Sequence, residues 1–355
     1  MRAAPLDAAR AAIALSLAPG VGRVRFRELM DAYASADEAL AVATEPSRRT
    51  TLLEEADTLL ERTRGCGARL AICGVASSGD DLAAYPSSLA DLPDPPPLLF
   101  VRGHAEWLTG GVVVSIVGTR QATAYGERIA RELAGQLARA GALVLSGMAR
   151  GIDGAAHRGA LGSGGRSGAV LGTGVDIAYP AAHRALHGQL AADGVLASEQ
   201  PPGEHATGGS FPERNRIIAA LSSVVIVIEA GKKSGALITA ARALELGRVV
   251  AAVPGQIDSP QSAGSNELLR DGAQLIASAE DALALAGLTL APRAPAPEVS
   301  GPDRAVWDAL SRGALDLDML ASTTALPARE VMAAVTRLEL SGAVECALTG
   351  EVRRR

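Results

Sequence analysis

From Val112 to about Leu285, short apolar runs alternate with stretches of helical pattern. The segments VVVSIVG, ALVLSG, GAVLGTG, GVLASE, SVVIVIEA and RVVAAVPG each read as a strand that ends in a turn. Val224 to Ile228 shows no alternation of polar and apolar positions, the signature of a strand buried on both faces. Helices are predicted between the runs, near Ala124 to Ala140, Ile152 to Leu161, Ala182 to Ala192, Phe211 to Leu221 and Ala236 to Leu246. This repeated alternation predicts an α/β fold: a mainly parallel, doubly wound sheet with helices on both faces. Ligands of such sheets gather at the carboxyl ends of the strands, so the small and polar residues after each run carry the interest.

The flanks follow other patterns. IALSLAPGVGRVRFRELMDAYASADEAL places a PGVG turn between two helical patterns, with Arg23, Arg25 and Arg27 opening the second. Backbone N–H groups of such a turn suit a nucleic-acid phosphate, as in a helix-hairpin-helix module. The same Gly and Pro are needed simply to make a tight interhelical turn, and a helical packing module that contacts no DNA is the preferred reading. YPSSLADLPDPPPLLFVRG reads as an extended, proline-punctuated connector. A second Pro-, Ala- and Gly-rich stretch, GLTLAPRAPAPEVSGP, marks a linker. Beyond it lie helical patterns at Asp303 to Ser311, Asp316 to Ala321 and Pro327 to Ser341, then GAVECALTGEVRRR with Gly350 near a hairpin turn, the layout of a winged helix. Arg329 and Arg337 of its third helix are accompanied by Glu330 and Glu339, so that helix is no obvious major-groove reader. The expected domains are an N-terminal helical one (1–84), an α/β core (85–286), a linker (287–302) and the winged helix (303–355).

A chain of 355 residues with 48% hydrophobic residues has material for two or three domains. Its net charge of −5 speaks against a surface coated with phosphate-binding residues, so any nucleic-acid site must be local. Cys66, Cys73 and Cys346 form no CxxC pair and lack a histidine at metal spacing, which points to buried free thiols in a reducing cytoplasm and to no metal. The opening MRAAPLDAARAAIALSLAPGVG is interrupted by Arg10 and Pro19, and neither a signal peptide nor a membrane span is expected.

Four glycine-rich loops follow predicted strands: Gly118 to Gly126, Ser146 to His157, Gly172 to Pro180 and Gly231 to Ala241. Glycines allow close backbone approach, and hydroxyls and N–H groups can wrap an oxyanion. Lys232, Lys233, Ser234 and Gly235 open a helix, where exposed N–H groups, the dipole and cationic side chains together suit a phosphate. Arg214 and Arg216 upstream suggest a grip on more than one phosphate. GxGxxG is absent from the first strand-helix turn, and GKKSG lacks the earlier glycine of GxxxxGK[ST], so dinucleotide and P-loop sites are disfavoured. Asp153 and His157 are one helical turn apart and read as a capping and packing pair. Ser146 and Ser234 lie in no nucleophile elbow. Arg120, Arg150, Arg214 and Arg216 are the charges best placed to converge on one groove. Only Tyr125, Tyr179 and Phe211 are near enough to stack on bases, so affinity should rest on phosphates, with broad sequence tolerance and strong salt dependence.

The motifs VGTRQATAYG, SGMARGIDGAAHRGAL, AVLGTGVDIAYP, SEQPPG, FPERNRIIAALS, KSGALITAARALELGR, AVPGQID and GSNELLRDGA occur in an order that closely resembles the DprA/Smf family of bacterial DNA-processing proteins. The dense part runs from Tyr85 to about Leu285. The resemblance implies an extended Rossmann-type core that binds single-stranded DNA, forms a homodimer and helps RecA load onto strands otherwise covered by single-strand-binding protein, with no enzymatic activity and no cofactor. Carried over by motif, Arg120, Arg150, Arg214, Asn215, Arg216, Lys233, Ser234 and Gly235 are DNA-contact candidates. Gly118, Thr119, Ser146, Gly147, Met148 and Gly151 would form a backbone cradle, although loop glycines serve the turns equally well. Which of Lys232 and Lys233 faces the ligand stays open. Dimer and RecA contacts point to Asn266 to Ile276, whose Leu268, Leu269, Leu275 and Ile276 suit a core as well. The competing reading is a nucleotide phosphoribohydrolase on a related scaffold, but that family uses PGGxGT with a helix glutamate where this chain has KKSGALITA. A nucleotide-sensing core joined to a duplex-binding winged helix is the third.

Overall fold

A computed structural model describes residues 5–77, 79–290, 299–313, 315–346 and 350–354. The chain divides into two compact units, Met1–Leu290 and Ala291–Arg355. The first opens with four helices, α1 (Pro5–Leu17), α2 (Arg23–Ala32), α3 (Ala36–Ala43) and α4 (Pro46–Gly65). It continues as β1 (Ala68–Ile72), β2 (Leu98–Gly103), β3 (Val113–Val117), α5 (Ala124–Arg139), β4 (Leu143–Ser146), α6 (Ile152–Gly162) and β5 (Arg166–Leu171). Then come α7 (Arg184–Asp193), β6 (Val195–Ser198), α8 (Ser210–Leu221), β7 (Val224–Val227), α9 (Gly235–Glu245), β8 (Val249–Ala252), α10 (Ala263–Arg270), β9 (Gln274–Leu275) and α11 (Ala279–Leu285).

The nine strands form one sheet in the order β1-β2-β6-β5-β4-β3-β7-β8-β9. From β6 through β9 all neighbours are parallel, whereas β2 pairs antiparallel with both β6 and β1. This is the doubly wound, Rossmann-type arrangement expected from the apolar runs. Both faces are covered, and alternate residues of one strand enter different cores. Val225 and Val227 pack with α8 and α9, while Val224 and Ile226 pack with α5 and α6. The unbroken apolar run of β7 therefore fills two cores with a period of two. Strand order turns at β3: β4, β5 and β6 lie to one side and β7, β8 and β9 to the other, which opens a crevice at the carboxyl ends.

One segment corrects the sequence reading. Leu98–Gly103, taken as connector, is strand β2, because the prolines stop at Pro97 and leave LLFV free to pair with β6 and β1. β1 lies before the boundary drawn at residue 84, yet it is a strand of the large sheet. The helices α1 to α4 share a core with the outer strands, in which Ile13, Leu15, Leu40 and Leu52 meet Leu70, Ile72 and Phe100. Thr123 caps α5, Ser234 caps α9, and Ser278 with Asp281 forms a capping box on α11. Cys66 and Cys73 are half-buried and Cys346 is exposed, all as free thiols, so the expectation of burial holds for none of them completely.

The second unit is a winged helix: α12 (Gly301–Ala309), β10 (Leu315–Asp316), α13 (Leu317–Thr324), α14 (Ala328–Leu340), β11 (Val344–Cys346) and β12 (Glu351–Arg354). Its sheet runs β10-β12-β11 around a core of Val306, Trp307, Leu320, Val335 and Val352. Much of the linker read at 287–302 and the residues just before Gly350 lie outside the described residues. Among the described residues no helix is long and apolar enough to cross a membrane.

Candidate functional site

The loops after β3, β4 and β7 enclose a groove of about 1050 Å³ where the strand order turns. Its first rim is Gly118 to Gln121, and a buried carboxylate holds it. Glu229, 2% exposed at the end of β7, accepts the Thr123 N–H at 2.9 Å and the Thr123 hydroxyl at 2.5 Å, and its own carbonyl accepts the Thr119 N–H at 2.7 Å. A buried acid is retained only when such donors surround it, so Glu229 is a clamp for this rim.

The floor comes from the turn between β4 and α6. Met148 adopts φ 61° although it is not glycine, a conformation that costs about 1–2 kcal/mol and persists only where the surroundings enforce it. Asp153 enforces it by accepting the N–H groups of Gly147 at 3.1 Å and Ala149 at 3.2 Å. Glycine is required at two points here. A side chain at Gly147 would run into the Arg214 guanidinium, and one at Gly151 (φ +75°) into the Thr119 carbonyl.

Backbone N–H groups of Thr119, Gly147 and Ala149 are thus already engaged inside the fold, as is that of Gln121, which donates to the Thr119 hydroxyl at 3.2 Å. The cradle predicted from these loops is largely self-occupied. Ser146 and Met148 are fully buried, and the Ser146 hydroxyl donates to Ile116 O at 2.6 Å. Of the predicted cradle, only Gly118 and Thr119 line the groove.

The side chains divide as sharply. Arg120, Arg150, Lys232 and Lys233 are exposed, line the groove, and have no carboxylate partner among the described residues. The Arg120 guanidinium lies 5.3 Å from the centre of the Phe211 ring, which in turn sits 5.2 Å from Tyr179. Ser234 and Gly235 line the same groove at the start of α9, where the Ser234 hydroxyl accepts the Ala236 N–H. Asn215 reaches across from α8 and donates to Gly235 O at 3.3 Å.

Arg214 and Arg216 do not present free charges. Arg214 is 7% exposed, and its guanidinium donates to Gly147 O at 2.8 Å and also to Val170 O, so it ties the groove floor to the sheet. Burial pushes Arg214 down to about 10, against the opposing pull of Asp153, and pushes the Asp153 carboxyl above its ordinary range. Arg216 leaves the groove altogether. Two helix positions rotate a side chain by about 200°, so Arg216 emerges on the far side of α8. There it holds Glu199 at 2.8 Å and approaches Asp94 at 3.2 Å, beside a second cavity of about 760 Å³. Both arginines were expected to grip phosphate, and the helix turns one into the wall and the other behind it.

His157 is fully buried, with Nδ1 2.9 Å from the Ser167 hydroxyl, and burial pushes it down to about 3. It packs, as its spacing from Asp153 suggested. Asp153 is the one carboxylate lining the groove among the described residues, and no cluster of three or more His, Cys, Asp or Glu there suits a metal ion. In the winged helix, Arg337 is paired with Asp303, while Arg329 is exposed.

Two further signals lie in the sequence itself. Glu229 is an acid at the end of an apolar strand, and Lys232 and Lys233 are the only lysines of the chain, every other cation being arginine. A compact ammonium on a flexible stem meets a phosphate as a point charge and needs no fixed fork of donors.

The model for the DNA recombination-mediator protein A family matches residues 79–287, and the DprA winged helix domain matches 290–347. A putative DNA processing protein DprA of Mycobacterium tuberculosis is 47% identical over 240 residues, which is 65% of this chain and 62% of that protein's length. Protein Smf of Escherichia coli is 38% identical over 290 residues, 78% of this chain and 76% of its own. Among solved structures, DNA processing protein A of Streptococcus pneumoniae superposes with a TM-score of 0.63 at 32% identity, covering 80% of this chain and 98% of that one. The Helicobacter pylori protein, whose structure concerns its mode of single-stranded DNA binding, superposes with a TM-score of 0.53 at 33% identity over 56% of this chain and 91% of its own.

Proposed function

Because this chain belongs to the DprA/Smf family of DNA recombination mediators, we propose that its groove holds single-stranded DNA by the phosphate backbone. One observation carries the reading. Arg120, Arg150, Lys232 and Lys233 converge on a single crevice with no carboxylate partner among the described residues. Unpaired exposed cations gain by releasing the counterions that a nucleic acid carries, whereas paired ones have little field left to offer. The H. pylori relative, which binds single-stranded DNA, supports the same substrate.

With few aromatic groups present, contact falls on phosphates and sequence goes largely unread. The wider role follows the family: a homodimer in the cytoplasm that receives single strands in transformation or repair, works where single-strand-binding protein is present, and helps RecA to load. No side chain of the groove is placed as an activated nucleophile or base, which favours a binder over a nucleotide hydrolase. The test is a titration of single-stranded and duplex oligonucleotides of several sequences at several salt concentrations. The expected result is tighter single-strand binding, similar across sequences, with log affinity falling linearly with log salt. Equal duplex binding, or release of free base from nucleoside monophosphates, would overturn it.

A further inference from the structure

The groove's outer wall is Gly208, Phe211 and Asn215, carried by α8 and by the connection Glu199 to Gly209 that precedes it. That connection has no helix or strand of its own. Its middle is tied to the core, where Gly174 N donates to Glu204 O at 2.8 Å and Gly203 N to Asp176 Oδ1 at 2.9 Å. Its start, Pro202 and the following helix α8 are tied to the N-terminal helices. Arg23, the first residue of α2, donates to Glu199 at 2.6 Å and to Glu213 of α8 at 2.8 Å, and lies 3.3 Å from Asp94. Arg62 of α4 donates to Pro202 O. Arg27 donates to the carbonyls of Ala90 and Leu92 in the adjoining segment.

Glu199 receives Arg23 from α2 and Arg216 from α8, so the two helices share one carboxylate that is only 14% exposed. Arg23 and Arg27 are therefore occupied in fastening α2 to the core, while Arg25 pairs with Glu28 on the helix itself. We propose that the N-terminal helices brace the outer wall of the groove: Arg23 and Arg62 are positioning residues that hold the β6–α8 connection and α8 at the spacing in which the groove cations face one strand. Neither side chain lines the groove. The inference rests on the single-strand reading, and it gives the N-terminal helices a role in DNA binding without DNA contact.

The test compares Arg23→Ala, Arg62→Ala and Arg23→Lys with the unaltered full chain, reading single-strand affinity, its salt dependence and amide hydrogen exchange over residues 199–209. Either alanine variant is expected to speed exchange there and to weaken binding about fivefold, the range for a residue acting through a packed element. The salt slope should stay unchanged, since no phosphate contact is removed. Arg23→Lys should recover part of the affinity, which a generally weakened fold would not show. Arg25→Ala, whose guanidinium pairs with Glu28 on its own helix, should bind as the unaltered protein does. If Arg23→Ala fails to fold, Arg62→Ala decides, because it removes one bond to a carbonyl and no countercharge. Unaltered affinity and exchange in a folded alanine variant would overturn the brace alone. Failure of the unaltered protein to bind single strands would overturn the reading on which it rests.

Discussion

On one side of α8, Arg120, Arg150, Lys232 and Lys233 face a groove with no carboxylate partner among the described residues; on the other, Arg23 and Arg216 share Glu199 and Asp94 beside a cavity of about 760 Å³. Both cavities are lined with arginine, and Pro212 and Ile238 border each of them. What separates them is pairing. A guanidinium held between half-buried carboxylates has its field cancelled at close range, and freeing it for a phosphate would leave those acids without their partner in a partly desolvated place. A solvated cation with no carboxylate partner gives up only part of its hydration. Counting basic residues around a cavity therefore says little about anion binding until each has been assigned its partner.

The largest effect should come from the residue between the two sides. Arg214→Ala removes a buried cation bonded to Gly147 and Val170 carbonyls, and is expected to destabilise the first unit by about 3–5 kcal/mol in denaturant unfolding. A change below about 1 kcal/mol would mean that the guanidinium belongs to the groove and that the comparison is drawn in the wrong place. Next, the double reversal Arg120→Glu with Arg150→Glu should weaken single-strand affinity about a hundredfold and flatten the log–log salt slope by about 1.4, two phosphate contacts at about 0.7 each. Unaltered affinity at physiological salt would remove the groove from the argument.

Asn215→Asp moves a carboxylate onto the groove side with little change of shape, and about a tenfold loss of affinity is expected from charge alone. Glu213→Gln, on the far side of the same helix, should change affinity less than twofold, because Arg23 keeps Glu199 and Asp94. Equal effects from the two would erase the distinction between the faces. The smallest changes belong to Lys232→Ala and Lys233→Ala, about threefold each, and the larger of the two identifies which lysine faces the strand.

The doubly wound sheet was legible because β3 to β8 are short apolar runs closed by turns, a local pattern whose burial on both faces leaves no polar alternation. The winged helix was legible for similar reasons, except for the two-residue strand β10, too short to leave a pattern. β2 was hidden by the prolines before it, and its partners lie far along the chain in β6 and, across a long connection, in β1. The loops of Gly118, Ser146 and Gly231 all follow strands, as the apolar runs before them led one to expect, and each contributes residues to the groove. The fates of the individual donors were not legible. Glu229 clamps Thr123 over 106 positions of sequence, and Arg23 reaches Glu199 over 176.

Sequence alone determined the order of β3 to β8 and of the helices between them, the glycine-rich loops at the strand ends, and a set of cations near them, because these depend on the periods of two and 3.6 and on turn chemistry within a few residues. Tertiary structure decided which of those cations remained free. It did so because pairing is settled by distance in space: α8 turns Arg214 into the floor and Arg216 toward Glu199, the carboxylates Glu229 and Asp153 take up the loop N–H groups, and Arg120, Arg150, Lys232 and Lys233 are left facing water.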